Sequence, residues 1–176
     1  QGTTDNVTGA TFICASVSGS CNAITTCGNF KMATFRGPGT FTVNAVASSP
    51  VNNAVDFMVV GGGGGAGQFY AGGGGAGGFR ESPGTATGSY TVSPLGSPGP
   101  NNAPVTVSVQ GYPIVVGAGQ PGGTQSAKGT NGSPSSGLGI TSAGGGGGAF
   151  YTPPSSNHTG LAGGSGGGGA GPSSSS

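Results

Sequence analysis

The chain alternates short apolar stretches with glycine-rich runs. Two β-type stretches, residues 31–35 and 40–43, flank the turn residues 36–39, which read Arg-Gly-Pro-Gly. Phe41 and Val43 lie on one face by the two-residue period of a strand, and glycine with proline is typical of a turn. The pattern therefore predicts a strand on either side of a turn.

Three further stretches predict strands. Residues 55–60 (Val-Asp-Phe-Met-Val-Val) are apolar on both faces except at Asp56, which predicts a buried strand that leads directly into glycine. Residues 105–109 alternate valine with Thr and Ser, which predicts a half-buried strand. Residues 112–116 again run straight into glycine, at Gly117. No stretch combines helical periodicity with helix caps, so we expect almost no α-helix.

Glycine accounts for 44 of the 176 residues and is concentrated in runs that apolar and aromatic side chains bound. The runs occupy residues 61–78, 114–123, 143–149 and 161–171. A polyproline II helix has about three residues per turn and no internal hydrogen bonds, so its backbone groups need partners, and only glycine lets such helices approach closely. We therefore expect a bundle of polyproline II helices, in which a valine at Gly63 or Gly146 would not fit.

The competing interpretation is a disordered low-complexity chain, which 44 glycines and 13 prolines would favour. Charged residues make up only 4% of the chain and apolar residues 32%, whereas disordered segments are usually rich in charge and poor in apolar residues. The sequence thus favours an ordered fold that is mainly β and irregular. It would consist of short antiparallel strands plus a bundle of glycine-rich polyproline II helices, with almost no α-helix.

Three parts are expected along the chain. Residues 1–30 are rich in Thr, Ser and Asn, contain the apolar run 12–14 and all three cysteines, and are interpreted as an N-terminal attachment segment with short strands. Residues 31–171 form the glycine-rich β and polyproline II domain, and residues 172–176 form a flexible tail. Because the first residue is Gln1 rather than Met, we expect that a segment upstream of it was removed or left out.

The three cysteines, Cys14, Cys21 and Cys27, leave alternatives open. An odd number suggests one disulfide plus one free or intermolecular thiol, and a bridge from Cys14 to either of the others would close a short loop. Reduced cysteines are the alternative. A zinc site would normally need four ligands, and the only histidine, His158, is distant in sequence, so we expect no metal.

Charge argues against several classes of partner. Four basic and three acidic residues give a net charge of +1, which cannot build the basic patch that phosphate neutralisation requires, so nucleic acid is not an expected partner. Low charge also means little repulsion between copies, which favours self-association, and we expect a trimer. No window approaches about 18 consecutive apolar residues, so we expect no membrane insertion.

The residues that catalysis needs are scarce. A catalytic triad requires a nucleophile, a base and an orienting group, and the one histidine, His158, lies in a Pro/Ser-rich loop. The carboxylates are Asp5, Asp56 and Glu81, and Arg80-Glu81 is interpreted as an exposed charged pair rather than as part of a glycosidase site. Dinucleotide-type glycine motifs arise trivially in such runs. We expect no catalytic residues, no cofactor and no enzymatic activity.

Three asparagines, Asn6, Asn131 and Asn157, begin formal N-glycosylation sequons. In a chain so rich in turn signals, asparagine is also an ordinary turn residue. We favour the turn interpretation for all three.

An ordered series of motifs resembles the glycine-rich domain of bacteriophage tail fibres and related virion appendages. The series comprises 24–31 (ITTCGNFK), 35–43 (FRGPGTFTV), 55–61 (VDFMVVG), 75–80 (GAGGFR) and 112–119 (YPIVVGAG). The resemblance covers about residues 24–171, whereas residues 1–23 match nothing in that family and Gln68 and Gln120 interrupt the runs. It implies a structural or host-recognition role, with the polyproline II packing known in some glycine-rich fibre adhesins.

The expected function is that of a virion structural protein, a fibre or appendage subunit of a bacteriophage that contributes to adhesion. Expected partners are copies of itself, other virion structural proteins, and a glycan or outer-membrane protein of the host surface. Receptor contact is expected where aromatic and polar residues interrupt the runs, because aromatic faces stack on sugars. These residues are Gln68, Phe69, Tyr70, Phe150, Tyr151 and His158. The competing interpretation is that the aromatic residues cap the bundle as its small core.

The alternative function is a subunit of a secreted extracellular filament or matrix. In that case residues 1–30 would pair with the edge of a neighbour's sheet by β-augmentation. Attachment to a capsid or tail protein separates the two functions, and with them the two locations, the virion or the extracellular medium.

Overall fold

The strands of this chain are short, antiparallel and distributed over several small sheets. The computed structural model describes residues 11–27, 30–68, 70–82, 103–124, 127–151 and 155–171. The strands are β1 (Cys14–Ser18), β2 (Ala23–Cys27), β3 (Phe30–Thr34), β4 (Gly39–Ala45), β5 (Ala54–Val55), β6 (Met58–Val60), β7 (Phe79–Glu81), β8 (Val105–Thr106), β9 (Gly111–Ile114), β10 (Ser135–Gly137) and β11 (Ile140–Ser142). Two 3-10 helices, Pro50–Asn53 and Ser155–His158, are the only helices in the described ranges. The fold is mainly β and irregular, as the sequence predicted.

The largest sheet has three strands in the order β1-β4-β9. Its centre is Val43, which is 1% exposed. Phe41 of β4 pairs with Tyr112 of β9 across the sheet, and their rings lie 6.4 Å apart in a tilted arrangement. The other sheets are two-stranded, namely β2-β3, β5-β8, β6-β7 and β10-β11. A large conventional core is therefore absent from the described part of the chain.

The two stretches around the turn at 36–39 both form strands, but they do not pair with each other. β3 pairs with β2, and β4 lies between β1 and β9. Both edges of β4 are thus taken, and β3 finds its partner one turn earlier in the chain. The local pattern predicted the strands, whereas pairing was decided by which edges remained available.

The single buried strand predicted for residues 55–60 is wrong. The stretch is divided between β5 and β6, and Met58 is 68% exposed. Next to the break, the Ser82 hydroxyl donates to Asp56 Oδ1 at 2.7 Å and accepts the N–H of Phe57 at 3.0 Å, while the Ser82 N–H donates to the C=O of Phe57 at 3.0 Å. Asp56, the polar residue of this stretch, therefore has a hydrogen-bond partner at the break between β5 and β6.

The half-buried strand predicted for residues 105–109 is confirmed only at its start. β8 ends at Thr106; Val107 follows with 3% exposure, and Val109 is 59% exposed. The next prediction is confirmed, because β9 leads through Val115, which bridges to Ser136, into the following glycine run.

The cysteines Cys14 and Cys21 are free and exposed. Cys14 begins β1, which has five residues, and Cys21 follows the turn after it. No bridge joins Cys14 and Cys21 in the structure. A bridge that involves Cys27 stays a prediction, because the Cys27 side chain lies outside the described ones.

Two strands of the predicted N-terminal segment pair with the part that follows it. β1 pairs with β4, and β2 pairs with β3. Residues 1–10 and the predicted tail at 172–176 lie outside the described residues.

The glycine-rich segments lie side by side as seven extended runs. We number them run 1 (61–67), run 2 (72–78), run 3 (117–123), run 4 (129–134), run 5 (143–149), run 6 (160–164) and run 7 (165–171). Neighbouring runs are joined by backbone hydrogen bonds at every third residue. The N–H groups of Gly61, Gly64 and Gly67 donate to the C=O groups of Gly78, Gly75 and Gly72 at 2.9–3.0 Å. A period of three is that of a polyproline II helix, whereas a strand repeats every two residues.

Run 5 is the centre of the bundle. Three residues per turn give a run three rows of N–H and three rows of C=O groups, which point in six directions. The backbone partners of run 5 are run 1 and run 7 for N–H groups, and run 2, run 4 and run 6 for C=O groups. Residues 145–149 of this run are all buried. The bundle therefore has an interior made of backbone.

In the sixth direction of run 5, an N–H group has a side chain as its hydrogen-bond partner. The N–H of Gly147 donates to Asn131 Oδ1 at 2.9 Å, and Asn131 Nδ2 donates to the C=O of Ala162 in run 6 at 2.9 Å. The side-chain amide thus takes the place of a peptide group between runs 5 and 6. Asn131 has a bonding role in the bundle rather than that of an ordinary turn residue.

Glycine is required in the bundle for its missing side chain. Among the described glycines, only Gly19 and Gly139 have positive φ, and neither belongs to a run. A Cβ at Gly146 would overlap the C=O of Leu161, and one at Gly64 would overlap that of Gly146. The prediction that a side chain cannot fit is confirmed at Gly146. At Gly63 a Cβ would stand 3.8 Å from its nearest neighbour, the oxygen of Gly75, so a Cβ alone fits there and the prediction for valine stays a prediction.

Candidate functional site: loops at the distal end of the bundle

The direction of the runs brings several loops to one end of the bundle. Run 5 donates to run 1 through Gly145 to Gly62 and Gly148 to Gly65, a rising register that makes the two runs parallel. Run 3 is parallel to run 1, and run 7 to run 5, by the same criterion. Strands β6, β9 and β11 directly precede runs 1, 3 and 5. The opposite end, where these runs finish, is here called the distal end.

A tight turn at the distal end joins runs 1 and 2. It is closed by the N–H of Gly67, which donates to the C=O of Gly72 at 3.0 Å. Tyr70 in this turn is 73% exposed and has φ +45°, a conformation that is strained for a bulky residue. Gln68 is exposed as well. The predicted Phe69 lies outside the described residues.

The second distal segment follows run 5. Phe150 is 3% exposed, and its N–H donates to the C=O of Asn157 at 3.0 Å. The ring of Tyr151 stacks on the imidazole of His158, with centroids 4.6 Å apart and planes 16° from parallel. In the described part of the chain, Nε2 of His158 is buried without a hydrogen-bond partner. The two rings therefore form one stacked pair at the distal end.

Run 7 ties the two distal segments together. The N–H of Ala170 donates to the C=O of His158 at 2.9 Å, and the N–H of the next residue, Gly171, donates to the C=O of Tyr70 at 3.3 Å. Two consecutive residues thus hold both segments at the same end. Nothing in the sequence indicates this link, because bonds from backbone N–H groups need no particular side chain.

The predicted contact residues differ in burial: Gln68 and Tyr70 are exposed, Tyr151 and His158 are half-buried, and Phe150 is buried. Tyr70, Tyr151 and His158 lie at the distal end, and Gln68 adjoins them. Phe150 is a correction: its side chain is buried beneath the distal end, as the competing core interpretation predicted, and has no surface to offer a receptor. The buried Phe150 side chain lies at the distal end of the bundle, and the Tyr70 side chain is exposed there.

The carboxylates lie elsewhere. The exposed pair predicted at Arg80-Glu81 is wrong for Glu81, which is 9% exposed on β7, opposite Met58. Within the described ranges no group of three or more metal-binding side chains occurs, and no helix there has the length and apolarity to cross a membrane.

A comparison with family models decides where the chain belongs. The model described as "Glycine-rich domain" matches residues 36–176, from the turn before β4 through all seven runs. The chain belongs to this glycine-rich domain family. No curated protein and no solved structure shows significant similarity to the chain. In this chain, β1, β2 and β3 precede the region that matches the family, and the distal loops lie within that region.

Proposed function

We propose that this glycine-rich domain is a structural subunit of a bacteriophage virion, a fibre or appendage protein whose distal end contacts the host surface. The observation that carries the proposal is the placement of Tyr70, Tyr151 and His158 at one end of a bonded bundle, with the strands at the other. The motif series in residues 24–171, which resembles phage tail fibre domains, supplies the virion context.

The bundle suits the display of loops. A seven-residue run spans roughly 20 Å at about 3.1 Å per residue in the polyproline II conformation, and side-to-side bonds stiffen it. Binding residues are often placed on loops that a rigid scaffold positions. Aromatic faces stack on sugar rings and lose little conformational entropy on binding, so a host surface glycan fits the exposed Tyr70 and the Tyr151–His158 stack best.

In this proposal the strand end attaches the subunit to the particle. Several large apolar side chains are exposed there, including Met32, Met58 and Phe79. Exposed apolar residues of this kind are typical of protein interfaces. The partners at that end would be other virion structural proteins and copies of this chain, and the protein would act by presenting a surface, without catalysis.

Adsorption of particles to host cells tests the proposal. Particles with Tyr151→Ala and His158→Ala should assemble normally and adsorb less, whereas Phe12→Ala, a 70% exposed aromatic outside the bundle, should adsorb as wild type. Tyr70→Gly is the sharper variant, because it removes the aromatic ring and also relieves the positive φ. A loss of adsorption in Tyr70→Gly, with thermal unfolding unchanged from wild type, therefore comes from the missing ring.

Equal adsorption by all distal variants would reduce the chain to a scaffold. Turnover of a host polysaccharide that disappears with Glu81→Gln would overturn the assignment as a non-enzyme. Failure of the chain to co-sediment with particles would overturn the virion assignment itself.

A secreted filament or matrix subunit is the second candidate, and one observation favours it. β2 and β3 form a two-stranded sheet, and the described residues place no further strand on either edge. Isolated two-stranded sheets are only marginally stable, and open edges accept strands from other chains. Filaments that form from the purified chain without particles would support this function.

A further inference from the structure

One side of run 1 has backbone groups that nothing in the described chain binds. Run 1 donates to run 2 and run 4 and accepts from run 5 and run 3, so four of its six directions are taken. Consecutive members of the series 2, 5, 4, 3 are bonded to one another; the four partners therefore occupy adjoining sides. The two remaining directions lie together between run 3 and run 2, on what we call the open side.

The open side of run 1 has hydrogen-bond donors and acceptors with the same three-residue spacing as the sides that bind other runs. The N–H groups of Gly63 and Ala66 form one row, and the C=O groups of Gly61 and Gly64 form the adjoining row; none of these four groups has a bond in the described part of the chain. Ala66 is exposed. Each row repeats every three residues, as the bonded rows do.

Run 3, which flanks the open side, extends this surface. Gly119 and Gly122 of run 3 are exposed, and neither their N–H nor their C=O groups have partners among the described residues. A Cβ at Gly119 would stand 3.7 Å from the oxygen of Gly63, and one at Gly122 would stand 3.5 Å from that of Ala66, which is ordinary contact. This chain's own packing therefore does not require glycine at these positions, although glycine loses more conformational freedom on folding than any other residue.

The hydrogen-bonding groups of the open side determine which kind of segment can bind there. Donors spaced three residues apart require acceptors with the same spacing, which a strand with its period of two does not offer. The occupant must also lack bulky side chains where the backbones meet. All seven runs in the described part of the chain already have places in the bundle, and a second copy of the chain offers further runs of the same kind.

We propose that the open side of run 1 binds run 3 of a second copy of this chain. The unbonded C=O groups of Gly119 and Gly122 of that copy supply acceptors for the N–H groups of Gly63 and Ala66. Runs 1 and 3 contain no charged residue, so the contact brings no charges together. A reciprocal exchange gives a pair of copies, and the same contact repeated around an axis gives a closed ring.

The contact depends on the bundle and not on the proposed role in adhesion. Its test is accordingly independent of host cells. Sedimentation velocity of the full chain over a concentration series measures association, and Ala66→Arg places a long charged side chain on the open side. Ala162→Arg is the matched control, because Ala162 is also exposed but lies in run 6, which contacts run 5 rather than run 1.

Wild type and Ala162→Arg should associate, and Ala66→Arg should sediment as a monomer with the circular dichroism spectrum of the wild type. Amide exchange supplies a measurement that needs no variant. The N–H groups of Gly63 and Ala66 should exchange more slowly at high protein concentration than at low concentration, by at least tenfold when association is saturated.

A wild-type chain that remains monomeric at high concentration overturns the proposal. So does association that Ala66→Arg leaves intact, or association without a change in exchange at Gly63 and Ala66, because either result places the contact on another surface.

Discussion

The side-chain oxygen of Asn131 accepts the N–H of Gly147 at 2.9 Å, at a position where other runs place a backbone carbonyl. The same side chain donates to Ala162. An asparagine amide has the donor and acceptor of a peptide group, so it can substitute for one in a bundle held by backbone bonds. One side chain thereby completes the surroundings of run 5.

Removal of this amide should destabilise the bundle. Asn131→Ala leaves the partly buried N–H of Gly147 without its partner, which costs about 1–3 kcal/mol and lowers Tm by about 2–4 °C per kcal/mol in a chain of this size. Thermal unfolding followed by circular dichroism measures the change. Thr130→Ala is the matched control, since it loses only a 3.5 Å contact with Gln120 and should change stability by less than about 0.5 kcal/mol. Equal melting of the two variants would contradict the role of Asn131.

Adjacent glycines should respond differently to the same added methyl group. Gly72→Ala drives a Cβ into the C=O of Gly168, whereas a Cβ at Gly73 meets nothing within 4 Å. Gly72→Ala should therefore cost about 1–3 kcal/mol or more, and Gly73→Ala should be neutral or stabilise by up to about 1 kcal/mol. Urea unfolding of both variants is the measurement. Similar losses in both would show that glycine is needed for backbone conformation rather than for close approach.

Amide exchange should reveal the three-residue period within a single run. In run 2, the N–H groups of Gly72, Gly75 and Gly78 donate to run 5 and should exchange slowly. The intervening amides, of which Gly74 and Gly77 are examples, have no acceptor in the described part of the chain and should exchange quickly. Exchange resolved by NMR for each amide provides the test, and the same data set gives φ and ψ, which should lie near −75° and +145°. Alternation with a period of two, or uniform fast exchange, would rule out the polyproline II interpretation.

The sequence determined the local features of this protein. Apolar residues with a two-residue period gave strands wherever the chain could extend, as in β3, β4 and β9. Low charge and aromatic boundaries indicated an ordered glycine-rich domain, because such a chain can bury enough surface to fold. The sequence also identified Tyr70, Tyr151 and His158 as interruptions of the runs, since any residue with a large side chain stands out among glycines.

Tertiary structure alone decided which groups meet. The stretch at 55–60 is divided because its two halves pair with different strands, β5 with β8 and β6 with β7. Gly63 and Gly64 are identical in sequence terms, yet only Gly64 faces the backbone of Gly146, because a three-residue turn points successive residues toward different neighbours. Backbone N–H and C=O groups are the same at every glycine, so a glycine run carries no information about its partner. That choice depends on the arrangement of all seven runs together.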